Sequence, residues 1–120
     1  MKKTALLVTL LVTLLIGCTT LDPNADPVVV RAEQTVSIAF NSFDTFLRWE
    51  YGRKVPAGTH DFAESLRRNA PSMLTKAMSL IKAYKTSRTT VNRDAMVAQT
   101  EKLNLTVTEA QGLMVEKGGL

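Results

Sequence analysis

Val29, Ala32, Val36, Phe40, Phe43, Leu47 and Tyr51 recur at steps of three and four residues. That spacing predicts one apolar face of an α-helix, with Arg31, Gln34, Asn41 and Arg48 falling off it. Asp26-Pro27 supplies a start, an N-cap oxygen followed by proline at the first helical position. Gly52 supplies an end, because glycine readily takes the left-handed conformation that closes a helix. Arg53 to Thr59 contains Pro56 and Gly58 and reads as a loop.

A second stripe follows: Phe62, Leu66, Ala70, Met73, Ala77, Leu80 or Ile81, and Tyr84. Asp61 is placed to cap it, with Glu64 as capping-box partner. Pro71 lies within the stripe, and an interior proline loses a backbone hydrogen bond and crowds the preceding turn, so a break is expected between Asn69 and Pro71. After a polar turn over Thr86 to Thr90, a third helix is expected from Thr90 to about Val115. Its apolar positions are Val91, Ala95, Ala98, Leu103, Val107, Ala110 and Met114. Strand-like alternation is confined to Leu103–Val107. The expected fold is all-α: a small antiparallel bundle of three helices over residues 28–117, the second broken near Pro71.

The residues before this domain have a different pattern. Lys2 and Lys3 precede an uncharged run from Ala5 to Ile16, interrupted only by Thr9 and Thr13. Twelve residues fall short of the ~20 that a spanning helix needs, and match the apolar region of a secretory signal. The run closes on Leu15-Ile16-Gly17-Cys18, which closely resembles the lipobox of bacterial lipoproteins. The resemblance covers residues 1–18 only. It implies cleavage between Gly17 and Cys18, diacylglycerol on the Cys18 thiol, and often acylation of the new amino group. It thus makes residues 1–17 a signal peptide and Cys18 the lipid anchor. In lipoproteins of the enteric type an acidic residue after the cysteine favours retention in the inner membrane. Thr19 stands there, so the resemblance implies the periplasmic face of an outer membrane where two membranes exist. Residues 18–27 form the lipidated cysteine and tether. The nine from Thr19 to Pro27, with two Asp-Pro pairs, span at most roughly 30 Å.

Composition narrows the picture. The 120 residues are enough for one domain, and a single cysteine excludes an internal disulfide framework. The formal charge is +4 and falls to +2 without Lys2 and Lys3. So small an excess gives no ground to expect nucleic acid as a partner.

Catalytic chemistry is thinly represented. His60 is the sole histidine and reads as an exposed loop residue, with Asp61 adjacent and Ser65 a turn away. No turn frames a nucleophile, no glycine-rich loop suits phosphate, and no cluster has metal-ligand spacing. Glu33, Asp44 and Glu50 show no pattern of convergence. The expectation is a protein with no catalytic residues, metal or cofactor.

Two features carry the expectation of binding. Five of the seven aromatics fall in the first helix, and Trp49 projects nearly opposite Phe40, on the side of Ile38. An off-stripe tryptophan is a candidate anchor for a partner. Arg53, Lys54, Arg67 and Arg68, with Arg48 nearby, cluster around the first connection as a candidate basic surface. The chain therefore reads as a membrane-anchored, non-catalytic interaction domain acting on an envelope protein. The competing reading is a lysis-associated or membrane-perturbing lipoprotein of phage type, which the ordered amphipathic stripes disfavour.

Overall fold

A computed structural model describes residues 26–116. They form three helices: α1 (Pro27–Glu50), α2 (Ala57–Thr86) and α3 (Thr90–Glu116). Among the described residues there is no strand. Each helix packs on the other two. Glu33 meets Lys85 and Glu50 meets Arg67, so α2 descends as α1 rises. Gln99 reaches Met73 and Asn92 reaches Ala83, so α3 rises again beside α2. The molecule is an antiparallel all-α bundle of three helices.

Local signals account for the helix starts and stops. Asp26 caps α1, its Oδ1 accepting from the Val28 N–H at 3.0 Å, with Pro27 next. Gly52, at φ +83°, turns the chain after α1. The start of α2 differs from the Asp61 cap expected. The helix begins at Ala57, with Pro56 at the N-cap and its carbonyl accepting from the His60 N–H at 3.1 Å. Proline lacks only a donor that a helix start leaves unused, so Ala57, Gly58 and Thr59 join the helix and shorten the loop. At α3 the capping hydroxyl belongs to Thr89, which accepts from the Asn92 N–H at 3.1 Å.

The break expected near Pro71 does not occur, and α2 runs unbroken through it. Pro71 lies on the exposed side of the helix, where water can satisfy the Arg67 carbonyl that lost its donor. The β-branched run near Thr106 is likewise accommodated. The Thr106 and Thr108 hydroxyls donate to the carbonyls of Lys102 and Asn104, both at 2.9 Å.

The core follows a stricter period than the expected stripes. In α1 it takes Val29, Ala32, Val36, Ala39, Phe43, Phe46 and Glu50; in α3 it takes Met96, Thr100, Leu103, Val107, Ala110 and Met114. In α2 the same alternation of four and three links Thr59, Ala63, Leu66, Ala70, Met73 and Ala77. This is heptad spacing, which keeps one seam facing its neighbours along long helices. Phe43 is buried as expected, but Phe40 and Tyr51 are exposed, at 61% and 81%. Ala39 and Phe46 take the inward positions instead. At the start of α3, Val91 and Ala98 are outside, while Met96 and Gln99 are inside. Fully buried alanines at 39, 63, 77 and 110 leave room for Phe46, Met96 and Leu103, the bulkiest residues sealed in the core.

Candidate functional site

Heptad register carries α1 into its last residue with an acid at a core position. Glu50 is only 5% exposed, and two side chains of α2 meet its carboxylate. The His60 Nδ1–H donates to Oε1 at 2.9 Å, and the Arg67 guanidinium donates to Oε2. Arg67 also reaches Glu64, three residues earlier on the same helix. His60 and Arg67 are two turns apart on the face of α2 that meets α1, so both reach one carboxylate. Burial pushes the Glu50 pKa up, but the hydrogen bonds and charges of His60 and Arg67 outweigh it, and the net shift is downward. His60 moves up from its ordinary value, chiefly through its hydrogen bond to Glu50, against a smaller opposing effect of desolvation. The result is an ion-paired latch joining α1 to α2 across their connection.

Trp49 lies beside this latch, turned into the protein rather than toward a partner. It is 8% exposed, with its ring centroid 5.7 Å from that of Phe46. Phe46 in turn meets Phe62 edge-on at 5.3 Å. The connection folds back so that Val55 packs on the core, and the Arg53 guanidinium lies 5.6 Å from the Trp49 ring centroid. The expected anchor is therefore a core residue. Its place at the end of α1, where the returning chain covers it, separates it from Ile38, which is mid-helix and 56% exposed. The indole N–H is buried with no acceptor among the described residues.

The basic residues at this end do not form one free patch. Arg48 pairs with Asp44 at 3.1 Å, Arg67 belongs to the latch, and Arg53 lies over Trp49. Lys54 and Arg68 are exposed and make no ion pair among the described residues. His60 is exposed, as expected, but stands in the first turn of α2 rather than in a loop. Glu50 and His60 went unrecognised as partners because the stripe read through Phe40 and Tyr51 puts Glu50 off the core. A strict heptad from Val29 would have put it inside.

At the opposite end Asp26 ties three parts together. Besides capping α1, it accepts from the Tyr84 hydroxyl at 3.1 Å and pairs with Arg88 at 2.6 Å. Its pKa is lowered, first by the Val28 N–H; desolvation opposes this, while Tyr84 and Arg88 reinforce it. Two grooves flank α2. The one shared with α3, about 430 Å³, is largely polar and is floored by Phe62, Leu66 and Met73. The one shared with α1, about 630 Å³, runs from Glu33 and Lys85 to Val36 and Met78.

Among the described residues no group of three or more His, Cys, Asp or Glu could hold a metal ion. No helix among them is long and apolar enough to cross a membrane. Gly17, Cys18 and the signal and tether segments before Asp26 lie outside the described residues, as does residue 117. No family model matches the chain, and no curated protein or solved structure matches it.

Proposed function

We propose that the chain is a lipid-anchored protein of the bacterial envelope. Its helical bundle would serve as a non-catalytic module that engages another envelope protein close to the membrane. The observation that carries this reading is the Leu15-Ile16-Gly17-Cys18 run behind a short, uncharged apolar segment. The sole cysteine stands where that motif places the lipid. With Thr19 after it, the reading favours the periplasmic face of an outer membrane in a two-membrane envelope. A position for the protein partner is offered by Ile38, exposed in the middle of α1.

Metabolic labelling with a fatty acid tests the anchor. The native chain should take up label, and Cys18→Ser should lose it and accumulate as unprocessed precursor. Label retained by Cys18→Ser would overturn the reading.

A further inference from the structure

The α1–α2 seam holds an apolar stretch that the bundle does not cover. Glu33 and Lys85 meet at 3.4 Å and mark the register of the two helices. Seven residues up α1 and seven back along α2, the equivalent rung is Phe40 and Met78. Seven further along each helix, it is Leu47 and Pro71. An ion pair thus gives way to two apolar rungs. Phe40 is 61% exposed and Met78 53%; Met78 lines the groove floored by buried Ile81, and Phe40 stands beyond its end, one turn past Val36 and Ser37.

From this seam we infer that the bundle lies along an anionic lipid surface, with Phe40 and Met78 dipping into the headgroup boundary. The inference rests on the anchored reading and adds an orientation to it. Three observations select lipid as the occupant. The first is charge. The carboxylates nearest Phe40 and Met78 are matched, Glu33 by Lys85 and Asp44 by Arg48; farther along, Arg67 serves both Glu50 and Glu64, and exposed Asp61 has no ion pair among the described residues. Lys82 and Arg68 are exposed beside the seam and have no carboxylate partner among the described residues. Unmatched cations beside exposed apolar side chains suit acidic headgroups over an acyl boundary.

The second is area. From Glu33 to Leu47 the seam runs roughly 21 Å at 1.5 Å per residue, and a helix pair is about 20 Å wide. That is roughly 400 Å², about half of what each partner contributes to a specific protein interface. A shallow contact of this size adds orientation to a molecule already held at the surface by another attachment. The third is reach. The chain between Cys18 and Pro27 extends at most about 30 Å, and Phe40 is about 20 Å along α1 from Pro27. Ile38, two residues from Phe40, projects some 160° away from it, so a bundle resting on the seam turns Ile38 outward.

Phe40→Cys and Ile38→Cys, each carrying a nitroxide, test the orientation in the mature lipidated chain on vesicles containing phosphatidylglycerol. Position 40 should be accessible to oxygen and shielded from a water-soluble nickel chelate. Position 38 should show the reverse, and Lys82→Glu should lower the oxygen-to-nickel ratio at 40 severalfold. Equal water exposure at 38 and 40 would overturn the inference. Spin–spin broadening at 40 that grows with protein density would overturn it in favour of a second copy. Mass analysis of Cys18 separates the two readings. A chain without lipid there refutes the anchor and, with it, the orientation that rests on it, whereas a lipidated chain with equal exposure at 38 and 40 refutes the orientation alone.

Discussion

Glu50 and Arg67 are seventeen residues apart in sequence, and their side chains meet across the α1–α2 seam, where the acid occupies a core position of its helix. A buried carboxylate is costly without a counter-charge, so the pair acts mainly to keep that position tolerable. Arg67→Met should destabilise the bundle by about 1–3 kcal/mol, because it leaves Glu50 short of a donor. Glu50→Gln should cost less, since the amide is neutral and still accepts a hydrogen bond. Urea midpoints at constant m-value would show the order; equal costs would mean that Glu50 hydrates freely.

The same latch sets a pH window. Glu50 has a lowered pKa, so its contribution is present above the ordinary value of 4.5 and lost as pH falls through the folded value. His60 has a raised pKa, so its contribution is full below the ordinary value of 6.5 and lost as pH rises through the folded value. Stability should therefore peak between the two ordinary values. His60→Gln should flatten the alkaline decline and shrink the acid limb without abolishing it, because Arg67 still lowers the Glu50 pKa, as thermal melts across pH would reveal.

Trp49 should emit in the blue and resist iodide, because its ring lies under Arg53 and against Phe46. Trp49→Ala should cost about 3–5 kcal/mol, as truncations of buried aromatics do. Trp49→Phe should cost much less, since it also removes the buried indole N–H that has no acceptor. Red emission that iodide quenches readily would contradict the packing at this end.

Phe46 and Phe40 separate the true core register from the stripe first read in the sequence. Phe46→Ala should cost about 3–5 kcal/mol at a fully buried site. Phe40→Ala should change stability by no more than about 0.5 kcal/mol at an exposed one. Calorimetric melting of both variants decides between the registers.

Pro71→Ala should stabilise the bundle, by up to about 3 kcal/mol, because it restores an N–H to an exposed turn of an already continuous helix. An unchanged melting temperature would mean that water serves the Arg67 carbonyl as well as an amide does.

The three helices were legible because Asp26-Pro27, Gly52 and the polar Thr86–Thr90 turn are local signals, and local signals fix ends. The finer rotation was not. Phe40 satisfies a 3.6-residue stripe as well as Ala39 satisfies a 3.5-residue one, and over 24 residues the two drift apart by most of a side chain. Hydrophobicity favoured Phe40; close packing of three helices favoured the alanine. The same rotation hid Glu50 and made Trp49 look external. The Pro71 break was overestimated because tertiary packing on both sides of the residue outweighs one lost hydrogen bond.

Asp26 is the first described residue, and it grips both ends of the α1–α2 hairpin through Val28, Tyr84 and Arg88. Tension applied along the chain ahead of Pro27 therefore meets a clamp before it reaches a helix. The load divides between the start of α1 and the end of α2, so the bundle is tugged as a unit and its first turn is not peeled away. A molecule held from that side could bear drag on its far end without unravelling at the point of attachment.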